Sequence, residues 1–548
     1  MDDYITICPS GFEKYVIHAI KESIPCHYKC EINILTPRPG SSEISELKTR
    51  LAGKLEKKRI RKGDSHKLHS IYDEKIFGTV DIGDGKLANL GFDKDDDCIL
   101  SYPGGLEGKI IVQIKTNAPP CVVADIRPNG CGVILATVLA VNLPHPSIQD
   151  LCASKRMFMD TINNMGKKEY EQCLFKALEL WARYAHNWYQ PKTKSESQFQ
   201  KRPRTLSPNE AVIPSPIESL LNGTCPYKYR LSCLRYGKEW PYKREELLTE
   251  LADVVVPYDT LKDGKSPRYT VNLTAYDFDL VILIQKEVTV IGVSLNPYQH
   301  VGAKGFERNA MPPDITKPYI SKEILKSVVR LRPSIASLLY HVSGAKKGDI
   351  IVDPCAGMNT IPNEGAFRGC FALGGDIAMC CDNGLDNMAS SYCKDVRKYQ
   401  LEKNWSGAAD VMSWNASLIP LRDGCSDHII SDLPFGVRCM SAAKLKSFLP
   451  LLFSECARIL CKGGKMTMLC GAFNVILAGI KDANSEAILF DNPTAIFPVN
   501  IGGLQAWVIQ VTRSLDNAQS IQNHRCRATR IAKIHDRRMK SGAKNVQS

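Results

Sequence analysis

The sequence predicts a doubly wound α/β domain preceded by an α+β half. Three observations carry that expectation. From about Lys346 onward, short apolar strands alternate with helical stretches, the pattern of a parallel sheet with crossover helices. Upstream, between Tyr227 and Leu295, a strand and a helix are followed by closely spaced strands, as in a compact α+β unit. The chain of 548 residues also exceeds what one hydrophobic core organises, so more than one domain is expected.

Taken in order, Tyr4 to Ile7 reads as a strand, Pro9 to Gly11 as a turn, and the stretch with Phe12, Val16 and Ile20 at helical spacing as an amphipathic helix. Residues 37–70 are dense in Lys and Arg and poor in large apolar side chains, which fits a solvated basic insertion or an RNA-facing arm. Strand-like runs recur at Lys75 to Val80 and Lys109 to Lys115, and Tyr170 to Tyr189 has the period of a helix. Residues 190–218, rich in Pro, Ser, Lys and Gln, mark a linker or surface insertion. Beyond it come a strand from Tyr227, a helix over Lys243 to Ala252, and strands at Arg268 to Tyr276, Leu280 to Ile284 and Thr289 to Leu295. The C-terminal strands are expected at Asp349 to Asp353, Phe371 to Gly375, Asp427 to Ser431, Lys465 to Cys470 and Trp507 to Val511, with a long helix over Lys444 to Leu460.

Hydrophobic residues make up 44% and charged residues 24%, which excludes a largely disordered or collagen-like chain. The net charge of +13 points toward a polyanionic partner, although about half of the surplus lies in the basic tail beyond Arg525. The 21 cysteines are scattered, odd in number and without a CxxC pair, so a reducing compartment is expected and no metal site is assigned. The acidic start MDDYITICPS does not resemble a signal peptide, and no uncharged apolar run approaches a membrane span, so a soluble intracellular protein is expected.

Three motifs carry chemistry. In IVDPCAGMNT a strand ends in Asp353 and Pro354, and the small residues Ala356 and Gly357 open a turn into the next helix. In an open α/β sheet this is where a ligand meets backbone amides and a helix N-terminus, though the motif alone also fits a plain tight turn. About twenty residues on, FALGGD closes the next strand with Asp376, an acid placed to accept both hydroxyls of a ribose. The first turn lacks GxGxxG, which favours S-adenosylmethionine over a dinucleotide. In HIISDLPFGVR a strand runs out into Asp432, Leu433, Pro434, Phe435 and Gly436. The Asp432 carboxylate and a backbone carbonyl near Leu433 would accept the two N–H groups of an exocyclic amine, while Phe435 stacks on its base.

These runs, with the stretch from Trp414 to Gly436 and the terminal GGLQAWVIQVTRS, resemble the catalytic domain of the THUMP-domain guanosine N2-methyltransferases. The likeness is good from Tyr227 to about Ser514 and patchy before it. It implies a Rossmann-like class I methyltransferase domain preceded by an α+β THUMP-containing RNA-binding half. It implies S-adenosyl-L-methionine as cofactor and N2-methylguanosine in transfer RNA as product, with the acceptor stem and CCA end gripped by the THUMP half. It also implies a small zinc-ribbon activator subunit and a cytoplasmic, and in part nuclear, location. In this frame Asp353, Pro354, Ala356, Gly357, Asn359, Asp376 and Asn415 form the cofactor side, and Asp432, Leu433, Pro434 and Phe435 the catalytic side.

The chain departs from the family at two positions. Asn359 stands where a second glycine is usual, and Asn tolerates positive φ better than most residues. Asn415 replaces an acid, yet its side-chain carbonyl could accept from an adenine amine. Glu364 is expected either to orient the turn or to be a solvated helix acid, and Arg308, Lys317 and Lys322 are given no specific role. The expected organisation is an N-terminal α+β region over 1–186, a linker over 187–224, a THUMP module over 225–320, the methyltransferase domain over 321–515 and a basic tail over 516–548. The rival readings are methylation of a small nuclear RNA, methylation of adenine N6 or of a glutamine amide, and a catalytically silent RNA-binding protein.

Overall fold

The structure, a computed structural model, describes residues 1–9, 11–35, 80–81, 87–88, 109–124, 126, 134–142, 151–185, 218, 221–235, 242–257, 259–273, 276–285, 288–295, 331–377, 407–435, 440, 442–471, 473–485, 488–501 and 505–515. The basic insertion, almost all of the linker, the tail, Arg308, Lys317, Lys322 and Gly436 therefore lie outside the described residues.

In the N-terminal half the elements run β1 (Asp2–Pro9), α1 (Glu13–Ser23), β2 (Cys30–Ile34), a two-strand ribbon β3 (Val80–Asp81) and β4 (Leu87–Ala88), then β5 (Lys109–Thr116), α2 (Pro120–Ala124), β6 (Ile134–Asn142), α3 (Leu151–Met165) and α4 (Lys167–Ala185). They continue with β7 (Tyr227–Arg235), α5 (Arg244–Val255), β8 (Tyr269–Val271), β9 (Phe278–Gln285) and β10 (Val288–Ser294). The expected nine-residue strand at Arg268 to Tyr276 shrinks to three residues, because β8 sits at the sheet edge with pairing on one side only. The periodicity missed β2, β6 and α3. The run ILATVLAVN of β6 shows why: a short apolar stretch does not distinguish a buried strand from a buried helix.

One eight-stranded sheet in the order β2-β5-β1-β6-β10-β9-β7-β8 unites strands from both sides of the linker. The joint is the antiparallel pair β6 and β10, with Val288 opposite Asn142 and Ser294 opposite Leu135. Residues 1–186 and 225–320 thus share one sheet. Every residue of β9 and β10 is buried, so this part of the sheet is covered on both faces. Helix α4 covers one of them, with the Trp181 ring 6.0 Å from Phe278, and the Tyr170 hydroxyl donates to the Val255 carbonyl at 2.8 Å, tying α4 to α5.

The C-terminal half runs α6 (Pro333–Ser343), β11 (Ile350–Asp353), α7 (Thr360–Phe367), β12 (Phe371–Asp376), β13 (Ala408–Ser413), β14 (Ser426–Asp432), α8 (Ala442–Ile459), β15 (Leu460–Cys470), α9 (Phe473–Ala483), β16 (Ala495–Asn500) and β17 (Gln505–Thr512). Its seven-stranded sheet has the order β13-β12-β11-β14-β15-β17-β16, parallel from β13 to β15 with β17 antiparallel to both its neighbours. This is the expected Rossmann-like methyltransferase architecture. Strand β13 escaped the sequence reading because it lies at an edge and is mostly exposed or half-buried, leaving no apolar run. Helix α8 buries Leu445, Leu449, Leu452, Phe453 and Cys456 at helical spacing against the sheet.

The two halves pack directly. The Phe497 ring of β16 meets Phe12, just before α1, edge-on at 5.9 Å and stacks on Tyr15 of α1 at 5.5 Å. Between α1 and α6, burial with the nearby Arg368 and His18 drives the His341 imidazole down to about 3, so it stays neutral at this contact.

Candidate functional site

The strand order puts β11 between β12 and β14, and successive strands leave β11 in opposite directions. A crevice therefore opens outside the carboxyl ends of these strands, where open α/β sheets bind ligands. Asp353, Asp376 and Asp432 close β11, β12 and β14, so residues far apart in sequence converge on one edge.

The turn after β11 is stitched to β12 and to β13 with the residues just past it. Ala356 N donates to the Gly375 carbonyl at 3.0 Å, and Gly357 N donates to Asp376 Oδ2 at 2.9 Å. The Trp414 indole N–H donates to the Pro354 carbonyl at 3.1 Å. Asn359 precedes α7 with φ +60°, the only positive φ of a non-glycine residue among the described residues, so the expected left-handed turn is present. Its side-chain amide also donates to the Asp410 carbonyl of β13 at 3.3 Å. The paired glycines before Asp376 make room for this packing. A Cβ on Gly375 would stand 1.7 Å from Trp414 Cε2, and one on Gly374 only 1.8 Å from Asn359 Oδ1.

Asp353 is buried at 1% exposure and accepts from Ser431 Oγ at 2.7 Å and Cys355 N at 3.1 Å. Burial nevertheless pushes its carboxyl up to about 8, outweighing those two hydrogen bonds, and the neighbouring Asp432 and Asp376 add to the rise. Asp432 is pushed up to about 7 by burial. Its Oδ1 is buried without a hydrogen-bond partner among the described residues. Beside it, Leu433 N donates to the Leu469 carbonyl at 2.9 Å, pinning the start of the Leu433–Pro434–Phe435 segment to β15. Pro434 and Phe435 are half-buried and Leu433 is buried.

Two expectations change. The Asn415 side-chain oxygen Oδ1 accepts from both the backbone N–H and the hydroxyl of Ser417, at 3.0 and 2.8 Å. Both of its lone pairs are used by the loop, so it is not open to an adenine amine. Glu364 is no solvated acid: it is buried and paired with Arg368 at 3.0 Å, and Arg368 also donates to Ser337 Oγ at 2.7 Å. Sequence reading passed over Ser431, Trp414 and the Gly374–Gly375 pair. The signals were adjacent to motifs already singled out: a serine before Asp432, a tryptophan before Asn415 and two glycines before Asp376.

No group of His, Cys, Asp or Glu among the described residues could hold a metal ion. The residues do fit S-adenosylmethionine: a tight turn against a helix start, an acid at the end of the second strand, and a buried, unpartnered carboxylate oxygen beyond it.

Residues 326–490 match the UPF0020 family, described as an RMKL-like methyltransferase domain, so this part of the chain is a methyltransferase domain. The chain is related to guanine-N2-methyltransferases. It is 24% identical over 294 residues to the human tRNA (guanine(6)-N(2))-methyltransferase THUMP3, a match covering 52% of this chain and 51% of that protein. It is 26% identical over 159 residues to the mouse U6 snRNA (guanine-N(2))-methyltransferase THUMPD2, covering 29% and 27%. The match to a probable tRNA (guanine(10)-N2)-dimethyltransferase of Methanothermococcus thermolithotrophicus is 26% over 135 residues, covering 24% of this chain and 75% of that one. The match spans about half the length of the first relatives. TrmN from Thermus thermophilus superposes with a TM-score of 0.42 at 16% identity, covering 75% of this chain and 93% of that one.

Proposed function

We propose that this protein is an S-adenosylmethionine-dependent RNA methyltransferase that forms N2-methylguanosine in transfer RNA, with an acceptor-stem guanosine as target. The observation that carries the reading is Asp432, a half-buried acid whose Oδ1 is itself buried without a partner among the described residues, directly followed by Leu433, Pro434 and Phe435. The names of the relatives, tRNA guanine-N2-methyltransferases among them, supply the substrate class.

Bound S-adenosylmethionine supplies an electrophilic methyl group. The Asp353–Asn359 turn and Asp376 hold it, with Asp376 facing the ribose. Asp432 and the backbone carbonyl at Leu433 accept the two hydrogens of the guanine N2 amine, and Phe435 stacks on the flipped base. That amine is a poor nucleophile because its lone pair is delocalised into the ring. Holding both hydrogens favours the pyramidal nitrogen and fixes its direction of attack. N2 must also lose a proton, and a carboxylate raised to about 7 is a competent acceptor for it at Asp432. The shared N-terminal sheet forms the RNA-binding half, with residues 225–320 as its THUMP module, and grips the acceptor stem and CCA end through shape and phosphate contacts. Binding should therefore weaken steeply with salt. A small zinc-ribbon activator subunit and a cytoplasmic location complete the proposal.

Nucleoside mass spectrometry of transfer RNA incubated with the protein and labelled cofactor tests it. Label is expected in N2-methylguanosine and is expected to vanish in Asp432→Ala; label that survives the substitution refutes the role of Asp432. The small nuclear RNA reading is favoured by the mouse relative, and U6 transcript in a parallel reaction decides between the two. Calorimetry separates the enzyme from a silent RNA-binding protein: RNA bound with no binding of the cofactor sinks the proposal.

A further inference from the structure

We propose that Gly471 is a positioning residue for the base-stacking ring: its missing side chain is the space that Phe435 occupies. The proposal deepens the reading above and rests on Phe435 as the ring that stacks on guanine.

Strands β14 and β15 leave the sheet side by side, with Asp432 paired to Leu469. Leu433 N then bonds the Leu469 carbonyl at 2.9 Å, so the chain is held to β15 up to that residue. Two residues past Leu469, β15 has ended and the chain bends at Gly471. Phe435 lies against this glycine. A Cβ on Gly471 would meet Phe435 Cδ2 at 2.6 Å, Cγ at 2.8 Å and Cβ at 3.1 Å, well inside the roughly 3.5–4.0 Å of carbon–carbon packing. The contact reaches the root of the side chain, so a small swing of the ring tip does not relieve it. Either the Phe435 side chain leaves its rotamer or one of the two backbones moves.

The glycine is not there for its own backbone. Gly471 is absent from the positive-φ glycines among the described residues, so alanine can adopt its conformation. What alanine cannot do is share space with the ring. The end of β15 thus sets two parts of the proposed clamp: the Leu469 carbonyl fixes the Leu433 backbone, and Gly471 fixes where the Phe435 ring stands. The cofactor turn is built from β11, β12 and β13, and none of the four hydrogen bonds described above that stitch it involves Gly471.

The test uses the full-length protein with unmodified transcribed transfer RNA and labelled S-adenosylmethionine, comparing Gly471→Ala, Phe435→Ala and the double variant; Phe435→Ala removes the two closest contact atoms, Cγ and Cδ2. Gly471→Ala is expected to lower kcat by about tenfold or more, because a base misplaced by a fraction of an ångström loses its line of attack. Cofactor affinity measured by calorimetry is expected to stay within about twofold of the parent, since the turn does not touch Gly471. In the Phe435→Ala background the same alanine should cost little further. If Gly471→Ala alone fails to fold, recovery of folding in the double variant supports the clash, and no recovery overturns it. The inference also falls if Gly471→Ala keeps parental kcat while Phe435→Ala loses it, or if the two losses simply multiply. The role of Phe435 survives both of those results. Unchanged kcat in Phe435→Ala overturns that role and the inference together.

Discussion

The methyltransferase domain buries acids in two places and treats them in opposite ways. In the helical layer each is matched by a guanidinium. Glu364 pairs with Arg368, whose guanidinium also lies 4.9 Å from the centre of the Tyr340 ring. Glu455 pairs with Arg458 at 2.8 Å, while Arg458 also donates to Asp423 and to the Leu421 and Ile419 carbonyls. At the carboxyl edge of the sheet, Asp353 and Asp432 have no ion-pair partner among the described residues, and burial raises both. Paired charge there would be spent on the fold. Unpaired charge is costly to the fold and available to a ligand.

Four variants can break or sharpen this contrast. Asp432→Asn is expected to lower methyl transfer by about a thousandfold, the scale for losing a preorganised contact to the reacting group. The same variant should melt higher than the parent, and the gain should be larger at pH 8 than at pH 5. The sign follows from a folded-state value near 7, above the ordinary carboxylate value of 3.8: the stability of the neutral form is complete below that ordinary value and lost as pH rises through 7. Thermal denaturation at the two pH values checks it, and a lower melting point at pH 8 would place Asp432 with the paired acids.

Arg458→Met should act in the reverse direction, destabilising the fold by about 3–5 kcal/mol because Glu455 is left buried and unmatched; urea unfolding measures this. Trp414→Phe keeps an aromatic ring beside Gly375 but loses the bond to Pro354, and should weaken cofactor binding by about tenfold in calorimetry. Ser431→Ala removes a donor that lowers the Asp353 carboxyl, so Asp353 should rise further. Any inflection it contributes to the pH–rate profile should move up by about one unit or less.

How far these features were legible in the sequence depends on their range. The apolar strands β11, β12, β14, β15 and β17 and helix α8 could be read because periodicity is a local property. The turn residue Asn359 was read correctly, since positive φ is a choice among few residue types. That the Asn415 side-chain carbonyl is engaged by Ser417 was not legible, because composition does not announce such a hydrogen bond. Glu364 looked equally able to be solvated, and only the approach of α6 buries it and brings Ser337 to Arg368. The continuous N-terminal sheet was invisible, because β6 and β10 lie on opposite sides of a long polar segment and pair only in space.

The sequence by itself therefore determined the chemistry on offer: three strand-end acids, a tight turn and an aromatic residue after a proline. It also determined the parallel α/β pattern on which they are carried. Only the tertiary structure decided which carboxylates are paired and which stand alone. Solvation and pairing depend on neighbours far apart in the chain, as Asp353 depends on Ser431 and Phe435 on Gly471.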